Sequence, residues 1–349
     1  MTNDWTLWAI NQFFADRKSP TRSECDQLAM SITGASALRQ VRTPGSLSYT
    51  VICKRPGVRD GTDEVVVSFR QQESGLDKDT VALASAIHGQ LVPEATHQGT
   101  MPGSDPLLGI YTMSLVSGVA CLEVLSWQAE MDAEEEAKHI SFIKHLARYF
   151  ARSWSASQPT GIQARESQEE DISRRLAILK SNPTFDIIPS STLSTLEAAL
   201  PRLFAQDYPQ VLAHGDLSKT NILVDPDTYE ITGIVDWSLA SVKPFGMELD
   251  TLLLTTGYMD MAGWHDYSCK AALIEAFWAE FWSSAAVLGI QDYDDDELRK
   301  QDFRAQAEAA MKIGAILRYG FKRNADGSAS EVVSTSESML RTLKGVVHG

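Results

Sequence analysis

Residues 211–237 read VLAHGDLSKTNILVDPDTYEITGIVDW, and the alternation of apolar runs with fixed polar positions in this stretch decides the fold. Val211 to Ala213 form a short apolar run that reads as a buried strand and feeds His214-Gly215-Asp216. Asn221 follows five residues after that aspartate. Ile222 to Val224 then read as a second strand, Asp225-Pro226-Asp227-Thr228 have turn chemistry, and Ile231 to Val235 return as a third strand that ends at Asp236-Trp237. Folded as a hairpin, this arrangement carries Asp236 back beside Asn221.

Transfer of a phosphoryl group from ATP to a hydroxyl asks little of a protein. One carboxylate orients the attacking hydroxyl and accepts its proton, and oxygen ligands hold Mg²⁺. Asp216, Asn221 and Asp236 supply that set. At these residues the chain resembles the aminoglycoside phosphotransferase and choline kinase group of the protein-kinase-like superfamily, whose HGDLxxxN loop and following D-W or D-F it matches. The resemblance implies ATP and Mg²⁺ as cofactors, Asp216 as catalytic base, and Asn221 and Asp236 as metal ligands.

The composition is compatible with such an enzyme. With 349 residues, 44% of them hydrophobic and 22% charged, the chain can bury a large core. No run of eighteen apolar residues occurs, so no membrane segment is expected. The start, MTNDWTLWAINQFFADRK, lacks a basic stretch followed by an apolar segment and a cleavage site, so a cytosolic protein is expected. Cys25, Cys53, Cys121 and Cys269 form no CxxC pair, which argues against a zinc site or disulfide framework. A net charge of -15 argues against nucleic acid as partner, because that affinity comes from clustered lysine and arginine. The acidity suits a cationic small-molecule acceptor, and equally suits plain solubility.

Upstream, residues 4–16 and 22–31 have helical spacing, and Trp5, Trp8 and Phe13 read as packing residues. The run SALRQVRTPGSLSYTVICKR, residues 36–55, reads as strand, loop, strand, with Pro44-Gly45 as the turn. By its place the loop resembles the nucleotide-covering loop of the family, in which Gly45 lets backbone approach the phosphates and Ser46 or Ser48 adds a hydroxyl. A plain hairpin satisfies the same residues. In VVVSFR, strand alternation sets Val66, Ser68 and Arg70 on one face and Val65, Val67 and Phe69 on the other. The resemblance assigns Ser68 to the adenine space and Arg70 to the phosphates. Arginine here departs from the usual lysine.

The following helix should carry the glutamate that pairs with this cation, yet no acid lies between Thr80 and Gly89. Asp77 and Asp79 stand at its start and read as caps, so the partner of Arg70 is unassigned. Residues 108–113 read as a strand leading to an interlobe hinge, where adenine would bond backbone groups at about Ser114 to Val116.

Beyond residue 118 the periodicity is helical over 133–154, 191–206 and 270–287. His139 and His145 are expected on the surface, and residues 155–168 form a polar connection. The stretch VKPFGMELDTLLL, residues 242–254, resembles a segment of fungal members of the family, with Asp250 bonding the catalytic loop or capping a helix. The acids of DYDDDE, residues 292–297, read as a solvated cap before a final helix ending near Lys322, with a cationic acceptor as the rival use.

The expectation is an α+β, protein-kinase-like fold with a sheet-containing N-terminal lobe, residues 1–117, and a mainly helical C-terminal lobe, residues 118–349. The expected activity is Mg²⁺- and ATP-dependent phosphorylation of a small-molecule hydroxyl. Two rivals share the fold: a lyase-type transformation of a specialised metabolite in which phosphorylation precedes loss of water, and a nucleotide-binding pseudokinase.

Overall fold

The computed structural model describes residues 2–15, 17, 19–57, 63–290, 296–324 and 329–348. Two helices, α1 (Thr2–Ala15) and α2 (Arg22–Thr33), precede β1 (Ala37–Gln40), β2 (Ser48–Lys54) and β3 (Glu64–Gln71). After α3 (Lys78–His88), β4 (Ala95–Thr100) and β5 (Leu108–Ser114) complete an antiparallel sheet of order β1-β2-β3-β5-β4. Pleat alternation divides this sheet as the sequence implies. Val51, Val67 and Phe69 join Phe13, Cys25 and Ala29 of the two N-terminal helices in one apolar cluster, which leaves the face of Val66 and Arg70 for a cleft. Helix α2 starts at a reciprocal capping box, in which Thr21 and Glu24 satisfy each other's free amides.

The rest of the described chain packs around a second, larger cluster. A short strand β6 (Val119–Ala120) leads to α4 (Ala133–Ser155), α5 (Ile162–Ser181) and α6 (Ser190–Leu203). The stretch that carries the HGD triplet follows as β7 (Gln210–Ala213), β8 (Ile222–Val224), β9 (Ile231–Ile234) and β10 (Ser241–Pro244), with β10 antiparallel to β7 and β8 of the β8–β9 hairpin antiparallel to β6. Then come α7 (Asp250–Leu254), a hairpin of β11 (Gly257–Met259) and β12 (Trp264–Asp266), and the long helices α8 (Lys270–Val287) and α9 (Glu297–Tyr319). A second hairpin, β13 (Phe321–Arg323) with β14 (Ala329–Val333), and α10 (Glu337–His348) close the described chain. Trp154 of α4, Phe245, Phe281 of α8 and Phe303 of α9 pack ring against ring at centroid distances from 4.9 to 6.3 Å, which joins three of these elements.

Several expectations are corrected. Residues 155–168 are only partly a connection, because α5 begins at Ile162; its first two turns are polar, and only Ile172, Leu176 and Leu179 are buried. His139 is fully buried instead of exposed, with its Nδ1 3.0 Å from the Glu135 carbonyl and its ring edge-on to Tyr229 and Tyr267. Trp5 and Trp8 are about half exposed, and α1 packs through Ile10 and Phe13. The chain does not end its structure near residue 322, since β14 and α10 follow. Of the acidic run, Asp296 accepts from the Arg299 amide as the cap of α9, while residues 291–295 lie outside the described residues.

The helix α3 joins sheet and helical body. Its last residue, His88, stacks on Tyr149 at 4.2 Å and lies 5.6 Å from Trp237. Burial pushes the imidazole down to about 3, so it packs as a neutral ring.

A tighter approach occurs where α9 crosses the segment after β10. A Cβ at Gly314 would stand 1.9 Å from the carbonyl oxygen of Met247, which no side chain can occupy. Gly314→Ala must therefore push α9 off the segment that carries Glu248. It is expected to cost about 1–3 kcal/mol, the usual penalty of overpacking; urea denaturation of variant and parent measures it.

Candidate active site

The loop between β7 and β8 is held by buried groups. His214 is fully buried; its Nε2 lies 2.9 Å from the carbonyl of Val235, and its Nδ1 accepts from the Asp216 amide at 3.2 Å. This fixes the tautomer, with the proton on Nε2. The imidazole thus ties Asp216 to the residue before Asp236. Gly215 has φ +83, and a Cβ there would stand 2.1 Å from the Leu239 carbonyl oxygen, so only glycine lets the loop pass. The carboxylate of Glu248 accepts from both the His214 amide, at 2.6 Å, and the Gly215 amide.

These constraints set the two acidic groups. Asn221 donates from Nδ2 to the carbonyl of Asp216 at 2.9 Å and to its Oδ2 at 3.3 Å. That orientation directs the Asn221 oxygen elsewhere, and among the described residues no donor meets it. The hairpin closes where the Val235 amide donates to the Asn221 carbonyl at 2.9 Å, so Asp236 follows beside Asn221. Asp236 is left-handed, φ 69 and ψ 59, a conformation unfavourable for a residue with a Cβ and most often met at functional sites. Trp237 anchors it from behind through its indole N–H on the Ile234 carbonyl, 2.9 Å.

Arg70 reaches this site from β3. Its side chain is 5% exposed, its Nε donates to the Ser74 carbonyl at 2.6 Å, and its other arm pairs with Asp236. The missing partner is therefore the Ser74 carbonyl together with Asp236. Burial raises the Asp236 carboxyl, and the charge of Arg70 with its hydrogen bond outweighs this and holds it below its ordinary value.

A cleft of about 1090 Å³ runs between the sheet and the β8–β9 hairpin. Gly45, Ser46, Ser48, Arg70, Ser114 and Val116 line it, together with Asp216, Asn221 and Asp236. Ser68 is the exception. It shares the cleft face of β3, as its alternation predicts, but is fully buried, its hydroxyl 2.9 Å from that of Thr50. Thr50, Ile52 and Val66 form the wall that had been expected of it. At the connector, the amide of Ser114 already donates to the Glu94 carbonyl, while the backbones of Leu115 and Val116 have no such bond among the described residues.

On its other side, Asp216 faces cations that the sequence pattern did not suggest. Arg318, in the last turn of α9, donates to its Oδ1 at 2.7 Å and to the Leu217 carbonyl at 3.3 Å, and Arg323 lies 3.4 Å from the same Oδ1. Asp250, expected to bond the loop or cap a helix, turns to Arg318 at 3.5 Å and Tyr319 at 3.1 Å. Burial pushes its carboxyl up to about 6 against the opposing charge of Arg318. The loop-binding carboxylate is Glu248, and Thr251 adds a hydroxyl on the Leu217 carbonyl at 2.7 Å. Neither Glu248 nor Arg318 belongs to the HGDLxxxN pattern, and it is their proximity in the fold that finds them.

Replacing Glu248 by alanine leaves two buried amides without an acceptor. Glu248→Ala is expected to destabilise the protein by about 1–3 kcal/mol per orphaned donor, and Glu248→Gln, which keeps one acceptor, by less. Denaturant midpoints at constant slope provide the comparison.

Comparison with known proteins fits this geometry. Residues 122–280, a little under half of the chain, match the model of the family described as "Phosphotransferase enzyme family". The GDP complex of aminoglycoside 2'-phosphotransferase-IIIa is similar in structure, with TM-score 0.51 at 13% identity over 86% of this chain and 91% of that one. The Plasmodium vivax ethanolamine kinase gives TM-score 0.48 at 12% identity over 81% and 74%, and macrolide 2'-phosphotransferase type I gives 0.45 at 16% over 85% and 92%. No curated protein matches by sequence. The chain thus shares the fold of the aminoglycoside phosphotransferase, and its residues 122–280 are similar to the phosphotransferase enzyme family.

Proposed function

We propose that the protein transfers the γ-phosphoryl group of ATP to a hydroxyl of a small molecule, with Mg²⁺. The observation that carries this reading is the joining of Asp216, Asn221 and Asp236 by one buried framework, with Arg70 brought across the cleft onto Asp236. The apolar wall of Ile52, Val66, Met113 and Leu223 suits a purine ring, and the free backbone at Leu115 and Val116 suits its edge. The donor set fits a hard cation: an anionic carboxylate and an amide oxygen on one side of a phosphate site, the remaining positions being left to phosphate and water as Mg²⁺ prefers. When bound, Mg²⁺ would neutralise developing charge on the phosphate oxygens.

The chain's own groups do the rest. Asp216, its carboxylate fixed by Asn221 and Arg318, accepts the hydrogen bond of the incoming hydroxyl and then its proton. Arg70 offers its remaining N–H groups to the phosphates while the Ser74 carbonyl keeps its plane fixed. The hinge and sheet orient the nucleotide, so catalysis rests on positioning and charge.

Asp216→Asn is expected to lower turnover by roughly two orders of magnitude or more, the span of a positioned base, with nucleotide binding almost unchanged. Steady-state kinetics with calorimetric ATP titration tests both halves, and equal turnover sinks the assignment. Arg70→Ala should weaken ATP binding at least tenfold, in line with about 1.5–3 kcal/mol for charged hydrogen bonds, and Arg70→Lys should recover only part. Asp236→Ala should abolish the Mg²⁺-dependent tightening of ATP; the same titration with and without Mg²⁺ decides it. Product mass separates simple transfer, a gain of phosphate, from a lyase, a loss of water.

A further inference from the structure

A second cavity, of about 700 Å³, adjoins the catalytic loop and is lined by α5, β10, the segment after it, α9 and β13. Gly215 and Arg318 belong to its wall, which places it against Asp216 on the side away from the nucleotide. We infer that this cavity receives the acceptor and that the acceptor carries an anionic oxygen group, a carboxylate or phosphate ester, which Lys243 and Arg323 meet while its hydroxyl lies at Asp216. This inference deepens the phosphotransfer reading and rests on it for the role of Asp216.

The charges of the wall carry the argument. Lysine and arginine outnumber aspartate and glutamate there five to four, although the whole chain carries -15. Three of the four acids are already spent. Both oxygens of Glu248 hold the loop amides, Asp250 faces Arg318 and Tyr319, and Asp171 pairs with Arg174 and Arg175. Glu170 is exposed. Lys243 is the reverse case. It stands on β10 opposite Val211, it lines the cavity, and among the described residues it makes neither a hydrogen bond nor an ion pair. Burial lowers its pKa, against the attraction of Glu248 and with the repulsion of Arg318 and Arg323. A half-buried ammonium without a partner is costly, and an incoming anion removes that cost. A cationic acceptor would instead confront Lys243 and Arg323, with Asp171, Glu248 and Asp250 already engaged, so the net acidity of the chain is a poor guide to its acceptor.

The test uses the full chain with Mg²⁺ and ATP and three alcohols on one skeleton: 4-hydroxybutyrate, 1,4-butanediol and 4-amino-1-butanol, with glycerol 3-phosphate as the phosphate-ester arm. Calorimetry measures binding, and mass spectrometry measures phosphorylated product. The expected result is that 4-hydroxybutyrate or glycerol 3-phosphate binds at least tenfold more tightly than the diol or the amine. Whichever anion binds better identifies the group. Lys243→Gln should weaken that anion at least tenfold while leaving the ATP affinity within twofold, and Lys243→Arg should restore most of it. Arg323→Gln serves as a second variant should Lys243→Gln fail to fold. Tighter binding of the amine, no binding by either anion at millimolar concentration, or an anion affinity unmoved in both variants overturns the inference. Lys243-dependent anion binding without phosphorylated product leaves the pocket standing and removes the phosphotransfer reading; product formed preferentially from the amine does the opposite.

Discussion

The loop between β7 and β8 is held in its observed path by one buried carboxylate. Glu248 accepts from the amides of His214 and Gly215, which have no other partner among the described residues. Around this bond the remaining parts are placed in turn. Gly215 admits the crossing, His214 links the Asp216 amide to the Val235 carbonyl, and Asp216 and Asp236 come to flank Asn221. Glu248 is itself positioned by a second crossing without clearance, in which Gly314 of α9 meets the Met247 carbonyl. Helix α9 thus sets the path of the loop while its last turn supplies Arg318 to Asp216. Both crossings use glycine for its lack of a Cβ, and buried polar groups that must be satisfied do the rest.

Arginine at position 70 changes how a cation on this strand is oriented. A lysine is a point charge on a flexible stem and needs a neighbouring acid to aim it. The guanidinium is planar and multidentate, so one N–H can be spent on the Ser74 carbonyl and another on Asp236 while others stay free. This accounts for the lack of any acid between Thr80 and Gly89, and it frees α3 for another task, that of docking the sheet onto the helical body through His88, Tyr149 and Trp237. The side chain stays ordered because its hydrogen bonds lie in a buried site, where they are worth more than in water.

Global and local charge point in opposite directions. A surplus of acids over the whole chain governs solubility and long-range fields, whereas recognition depends on the few charges that face a cavity and are not already neutralised. In the second cavity three of the acids are engaged in holding structure and the ammonium of Lys243 is not.

The sequence alone determined the parts whose function requires fixed spacing. The HGDLxxxN loop, the hairpin to Asp236, the alternation that turns Arg70 toward a cleft, the helices over 133–154 and 270–287, and Asp77 as a cap were legible because each is a local geometric rule, with period 2 or 3.6 or a turn of set length. Helix α5 was missed because its first two turns are polar, and α10 was missed although Leu343, Val346 and Val347 stand at helical spacing. Ser68 shows the limit of alternation, which fixes the face of a side chain and says nothing of what covers it; Thr50 on the neighbouring strand does. His139 shows the same limit for helices. Only the tertiary structure decided that Glu248 and not Asp250 grips the loop, that Arg70 answers to Ser74 and Asp236, and that Arg318 and Arg323 arrive from about a hundred residues away beside Asp216. These contacts satisfy buried polar groups between distant segments, and such a requirement leaves no spacing in the chain to be read.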